Sequence, residues 1–360
     1  MLTRLYIDNF KCFVNFEYRP ARTQLILGAN GSGKSSLIEA LSFLRRVAVR
    51  GESVYDLSLL RQRTRWQSRA DQTFELDVAL RGREYNYRLV IGSELERTRV
   101  RLETVRLDGR PVIEFIDGEV HPYNDAFEPR DTFRLDPHCS ALAAPIMGSE
   151  TQALGLFRDW LRGLVCFRLN PFAMASTLDG PDANPASDLS NFAAWYRDCR
   201  GRYPDQYEAF LASLRAALDG FIDFGGWGQA PEARFRDASG ETQFRFNELS
   251  EGQLCLIGLY AILHFVLARG HTVILDEPDN FVSLREIQPW LMAADDAVED
   301  SGGQILIISH HPEIINQWAP PFGVRFVRDG LGPVRVVEFH GEPESALTPA
   351  ELVARGWEHE

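Results

Sequence analysis

Residues Gly28-Ala29-Asn30-Gly31-Ser32-Gly33-Lys34-Ser35 satisfy every fixed position of G-x-x-x-x-G-K-[ST], a spacing suited to gripping a polyphosphate. Its glycines let the backbone curl until N–H groups converge on an anion, and a helix starting there adds roughly half a positive charge. Lys34 is then placed to bridge the β- and γ-phosphates of a nucleotide, and the Ser35 hydroxyl to reach Mg²⁺. Only Lys11 and Lys34 are lysine, all other cationic chains being arginine, so a chance lysine at this position is the poorer explanation.

Three further groups could share that chemistry. His271-Thr272-Val273-Ile274-Leu275-Asp276-Glu277-Pro278 is an apolar strand ending in two carboxylates, at the sheet end where α/β folds place ligands. Asp276 is positioned to hold Mg²⁺ through water, and Glu277 to act on an attacking water as general base or positioning group. The same pair also suits the capping of a turn. Leu249-Ser250-Glu251-Gly252-Gln253 opens an apolar helix, so Ser250, Gly252 and Gln253 offer a second anion site or simply a capped helix. Finally, Gln304–Ile308 reads as a strand that delivers Ser309-His310-His311-Pro312 to the same sheet edge.

The elements that must position these groups follow from periodicity. Thr23–Leu27 reads as a buried strand entering the phosphate loop, and Ser35 onward as a helix. Strands are expected over 2–8 and 13–18, with a turn at 9–12. Residues 73–123 alternate apolar and polar, broken by Arg81-Gly82 and Asp108-Gly109 turns, and predict an antiparallel β-lobe. Residues 124–150 carry little pattern. Helices are expected at about 150–164, 188–200 and 204–219, a helical subdomain reaching to 248 whose core takes Met147, Phe157, Trp160, Leu161 and Trp195. The last third predicts a helix over 251–268, strand 272–276, helix 283–298, strand 304–308, helix 312–318, two strands near 323–328 and 333–339, and a short final helix begun by Thr348-Pro349. This is a single α/β head: residues 1–50 and 249–340 form its nucleotide-binding core, 73–123 the β-lobe and 150–248 the helical subdomain.

Composition narrows the class. No apolar run approaches the roughly 18 residues that cross a bilayer, and the start leads into a strand pattern, so a cytoplasmic protein without a membrane partner is expected. Cys12, Cys139, Cys166, Cys199 and Cys255 are scattered and include no C-x-x-C pair, which supports neither a disulfide framework nor a zinc site. A net charge of −13 argues against a surface that grips nucleic acid throughout, although the arginine-rich stretch 61–69, with Trp66, is a candidate local contact for DNA or a partner as well as an ordinary solvated face.

Phosphate loop, L-S-E-G-Q, D-E-P strand and S-H strand, in that order, resemble the nucleotide-binding set of ABC-type ATPases. Within them the chain is similar to the SMC/RecF/OLD-like AAA-family ATPases. Leu5-Tyr6-Ile7-Asp8-Asn9-Phe10-Lys11-Cys12-Phe13 resembles their opening "I-x-N-F-K-x-F" strand, and Gly28 to Ser36 their "G-x-N-G-S-G-K-S-S". Ser190-Asn191-Phe192-Ala193-Ala194-Trp195 resembles the "N-L-A" helix of the compact stand-alone predicted ATPases of this group. The resemblance implies a P-loop NTPase fold of ABC/SMC-head type, a mixed sheet with an antiparallel β-lobe and an inserted helical subdomain. It further implies Mg²⁺-dependent ATP hydrolysis at a composite site, in which Gly28 to Ser36, Asp276, Glu277 and His310 of one copy close on ATP against Ser250 to Gln253 of another. The chain departs from the family at Asp279-Asn280-Phe281-Val282-Ser283-Leu284, where many relatives have E-N-x-L-H-P, and at His311, where they commonly have serine. His310 is the switch histidine by this comparison, with His311 the alternative, and Gln62, Gln67 and Gln72 all fit the glutamine-bearing loop.

Three roles are compatible with such a site. One is an ATP-driven homodimer or higher homo-oligomer that controls a separately encoded effector, as similar ATPases do in anti-phage modules. Another is a RecF-like repair ATPase that binds DNA, and the third a transporter's ATPase subunit. The roughly two hundred residues between phosphate loop and signature, β-lobe included, disfavour the transporter. No two aspartates stand two residues apart, so the D-x-D of a fused nuclease is missing.

Overall fold

The computed structural model describes residues 1–55, 62–94, 97–145, 151–174, 182–225, 231–340 and 347–355. The chain folds as two compact units, one built from Met1–Ala21, Ile26–Leu164 and Gly323–Phe339, the other from Arg22–Leu25, Val165–Phe322 and His340–Glu360.

The first unit is organised on an eight-stranded sheet. β1 (Leu2–Asp8) lies between β2 (Phe16–Tyr18) and β4 (Gln72–Leu80), and β5 (Arg83–Glu94), β6 (Arg97–Leu107), β7 (Arg110–Ile116), β8 (Glu119–Pro122) and β9 (Phe133–Arg134) follow in chain order, antiparallel throughout. Arg81-Gly82 and Asp108-Gly109 all take positive φ, the two-residue turn whose twist matches that of a hairpin. The alternation read from 73–123 is real: Phe74, Leu76, Val78, Tyr87 and Leu89 are buried while their neighbours face outward.

Between β3 (Thr23–Leu27) and the lobe, α1 (Lys34–Ala48) buries Leu37, Leu41 and Leu44 on one face, with Phe43 against Phe74 at 5.2 Å between centroids. α2 (Gln152–Arg162) is capped by the Thr151 hydroxyl, which accepts the Leu154 N–H at 3.3 Å, and sets Phe157 on Tyr85 and Tyr87. Glu103 is wholly buried, but its carboxylate accepts from Tyr87 (2.9 Å), Ser140 (2.7 Å) and the Ala141 N–H (2.6 Å). Met147 lies outside the described residues.

The second unit holds β10 (Leu164–Phe167), α3 (Phe192–Arg202), α4 (Pro204–Ala217), β11 (Phe221–Gly225), β12 (Glu232–Asp237), β13 (Gly240–Arg245), α5 (Glu251–Phe265), β14 (Thr272–Asp276), α6 (Leu284–Ser301), β15 (Gln304–Ile308) and α7 (Pro312–Phe322). β10, β14, β15 and the start of β3 are neighbours in that order, β14 and β15 parallel in register Asp276↔Ile308. The chain then returns to the first unit with the antiparallel pair β16 (Gly323–Arg328) and β17 (Val334–Glu338), β16 beside the end of β3. α8 (Pro349–Arg355) closes the described chain on α7, the Ala350 N–H donating to Asn316 at 2.9 Å.

Three differences from the sequence expectations have clear causes. The range read as helical also contains the β11–β12–β13 sheet, whose alternating Ala233, Phe235 and Thr242, Phe244 around a turn with Gly240 are the signal that identifies a hairpin. β10 is four apolar residues buried on both faces and shows no alternation. Contrary to the expectation that no apolar run nears membrane length, Glu251–Arg269 is 19 residues of mean hydropathy 1.6. That span is 72% buried inside its unit, as a central core helix is, with Phe265 in contact with Trp195 and Phe210.

His264 of α5 shares a 2.8 Å hydrogen bond with Ser213, and burial holds its imidazole down to about 4. The fold therefore keeps it neutral while the unfolded chain takes up a proton near the ordinary value of about 6.5. Its contribution to stability is full above about pH 6.5 and is lost as pH falls toward about 4, at most about 3 kcal/mol. Denaturant unfolding across that window should show this loss, and His264→Gln should remove that part of the slope.

Candidate functional site

The phosphate loop belongs to the first unit. Its shape depends on glycines at Gly28 and Gly33, with φ of 147° and 106°. A Cβ on Gly28 would stand 2.5 Å from the Phe326 carbonyl, and one on Gly33 2.9 Å from Val334 and 3.2 Å from the Cys12 sulfur. Neither position accepts a larger residue. Gly33 is also the N-cap of α1 and supplies no side chain, which leaves that terminus to an anion. Lys34 is buried, and its ammonium donates to the carbonyls of Gly28 (2.5 Å) and Ala29 (3.1 Å), so it arches over its own loop. Asn30, Gly31 and Ser35 are exposed, Ser36 is half-buried, and Ser32 is buried with its hydroxyl lacking a partner.

Curled glycines, a buried ammonium and an orphaned hydroxyl fit a polyphosphate. Ser35 of this loop is a hard oxygen donor of the kind Mg²⁺ takes alongside phosphates.

The second unit gathers the acidic and imidazole groups. Asp276 ends β14 almost wholly buried, 3.8 Å from the Arg168 guanidinium. At Glu277 φ turns to 49°, an uncommon conformation for glutamate that re-aims the chain out of the strand. Its N–H donates to Ile308 (2.8 Å) and its carboxylate accepts from Asn280 (2.9 Å). Ser309 donates to Asp279 (2.7 Å) and accepts the His311 N–H (2.9 Å), so the ends of β14 and β15 are tied together. His311 Nδ1 accepts the Glu313 N–H at 3.2 Å, a cap on α7, whereas His310 is exposed at the strand end.

The signature lies in the same unit. Ser250 caps α5: its hydroxyl accepts the Gln253 N–H (3.3 Å), while Gln253 accepts the Ser250 N–H (3.0 Å). Ser250 is exposed, and a Cβ on Gly252 would come 2.9 Å from the Phe281 carbonyl, so α5 begins against the loop that follows the carboxylates. Phe281 carries a φ of 71°. Asn191 pins the chain before α3, donating to Asp182 (2.8 Å) and Asn184 (2.9 Å) and accepting the Ala186 N–H (2.8 Å).

Among the three glutamines, Gln72 is buried and donates to the Asn9 carbonyl at 3.1 Å, with its own carbonyl unpartnered. Gln62 accepts the Lys11 N–H through its backbone at 2.7 Å, and Gln67 closes a turn onto Thr64.

A family model described as "AAA domain, putative AbiEii toxin, Type IV TA system" matches residues 25–316, which spans the phosphate loop, the signature, the carboxylate pair and both histidines. The chain belongs to this AAA family. A second AAA-domain model matches residues 4–44. The SMC head domain from Thermotoga maritima resembles this AAA protein in structure with a TM-score of 0.50 at 16% identity, over 94% of this chain and 99% of that one. At that identity the likeness establishes the fold, a P-loop NTPase of ABC/SMC-head type. Among curated proteins none matches the chain.

Proposed function

We propose that this AAA protein is a Mg²⁺-dependent ATPase switch of the reducing cytoplasm, closing on ATP as a head-to-tail pair of copies and controlling a separately encoded effector, in the manner of an anti-phage module. Residues 1–50 and 249–340 serve as its nucleotide-binding core, with 73–123 as a β-lobe and 150–248, which holds the β11–β12–β13 sheet beside its helices, as the segment leading to the signature. The geometry of the phosphate loop carries the reading: positive-φ glycines under an ammonium that already spans the loop.

In this account Lys34, with Asn30 to Ser36, grips the phosphates, and Ser35 and Asp276 hold the cation. Mg²⁺, when bound, neutralises charge on the phosphates. Glu277 orients and deprotonates the attacking water, and His310 senses the γ-phosphate. The exposure of Ser250 at the head of a helix that is largely buried from Leu254 onward supports a site shared by two copies, in which Ser250, Gly252 and Gln253 of one copy add a second helix N-terminus to the phosphates held by the other. Family membership, with its putative toxin and type IV TA description, supports a chain that acts with a partner. The DNA reading has less to rest on, since Arg69 pairs with Asp8 at 3.2 Å and Arg63 donates to the Arg69 carbonyl.

Ser250→Arg tests the reading. It should leave ATP affinity within about twofold, because the phosphate loop is untouched, and lower steady-state hydrolysis by roughly a hundredfold, the order lost when a transition-state donor is removed. The same variant should fail to capture the products of adjacent genes in MgATP that the native protein retains. Unchanged hydrolysis and capture would contradict it.

A further inference from the structure

The turn after α1 presents an aromatic side chain that the phosphate chemistry above does not use. Trp66 is 45% exposed, yet the backbone that carries it is firmly held. Buried Thr64 donates its N–H to the Asn9 side chain and its hydroxyl to the Phe13 carbonyl, each at 3.3 Å, and the Gln67 N–H closes the turn onto Thr64 at 3.1 Å. On either side, the Lys11 N–H donates to Gln62 at 2.7 Å, and Asn9 donates to the carbonyls of Arg69 and Asp71 at 2.9 Å each. The segment 9–13 that receives this turn is the one whose Cys12 and Phe13 stand against Gly33 of the phosphate loop.

A single guanidinium links the indole to that loop. Arg328, at the end of β16, lies 5.4 Å from the centroid of the Trp66 ring, and its nitrogens donate to the carbonyls of Gly332 (2.8 Å), Leu331 (3.2 Å) and Gly31 (3.4 Å). These acceptors are carbonyls and not carboxylates, so the charge stays available beside the loop. Gly31 lies inside the phosphate loop, which places the indole about 10 Å or less from it, the reach of a ribose and its first phosphate.

We propose that Trp66 and Arg328 form the platform that receives the base of a nucleotide whose phosphates occupy the loop, Trp66 stacking on the base and Arg328 fixing the indole to Gly31. The inference rests on the phosphate-binding reading of that loop. It assigns a ligand to the exposed indole: a planar, electron-rich ring on a rigid turn accepts a base face with little ordering, and does so for any base. The specificity it confers is for a nucleotide over a bare polyphosphate.

Binding of ATP and of inorganic tripolyphosphate to the full chain, native, Trp66→Ala, Trp66→Phe and Lys34→Ala, tests it by calorimetry. The platform predicts that Trp66→Ala weakens ATP on the order of tenfold, that Trp66→Phe retains most of the affinity, and that tripolyphosphate binds both as it binds the native protein. Of the seven tryptophans, Trp66 should account for the fluorescence quenched by ATP, so Trp66→Phe abolishes that change. ATP affinity lost in Lys34→Ala but unchanged in Trp66→Ala overturns the platform and leaves the phosphate site standing; so does equal weakening of both ligands, which marks a merely structural tryptophan. Failure of both ligands to bind the native protein overturns the phosphate site itself, and the platform with it.

Discussion

Lys34→Ala is expected to raise the dissociation constant for ATP by more than a hundredfold, to the point where binding is no longer seen by calorimetry at micromolar protein. Lys34 is 9% exposed and its ammonium is already hydrogen-bonded to the loop it spans, so part of its desolvation precedes contact with phosphate oxygens. Truncating one partner of a buried, hydrogen-bonded charge pair costs about 2–5 kcal/mol, each 1.4 kcal/mol being tenfold in affinity. The variant also strips the Gly28 and Ala29 carbonyls of their donor. Those carbonyls can turn to water, so the melting temperature should change little. Loss of binding with retained folding is what separates a ligand-gripping lysine from a structural one.

Glu277→Gln is expected to bind ATP as tightly as the native protein and to hydrolyse it about a hundred to ten thousand times more slowly in single turnover, the range that general-base catalysis supplies. The amide keeps the size of the carboxylate and can still accept from the Asn280 side chain, which lies 2.9 Å from the native oxygen. The backbone N–H of residue 277 still donates to Ile308, so the positive-φ turn that aims the side chain survives. Only the capacity to take a proton is removed. The complex should then persist in its ATP-bound state, with no effect on stability beyond about 1 kcal/mol.

The backbone of the phosphate loop is legible in the chain because its fixed positions answer separate physical demands, Gly28 and Gly33 supplying positive φ where a Cβ would clash. The D-E strand and the alternating lobe were readable for similar reasons, burial on one face or an abrupt end to an apolar run. Other features depend on contacts distant in sequence. Nothing local distinguishes His310 from His311; the difference is that His311 spends its Nδ1 on the Glu313 N–H while His310 is exposed. Gln72, one of three equivalent glutamines in the sequence, is drawn inside by Asn9, sixty-three residues earlier. β10 is hidden because a strand buried on both faces has no period. α5 is legible as a helix over 251–268, and only its membrane-length apolar span is not, because a core helix and a membrane span share one composition. Trp66 looked like one aromatic among arginines until the partners of those arginines, Asp8 and the Arg69 carbonyl, were in place.

The central claim is that one ATP is held by two copies of the chain, and the mass of Glu277→Gln in solution, measured by light scattering with and without MgATP, tests it most directly. The account predicts the mass of one chain without nucleotide and of two with it, with one ATP bound per chain. A protein that binds one ATP per chain and keeps the mass of a single chain would contradict it.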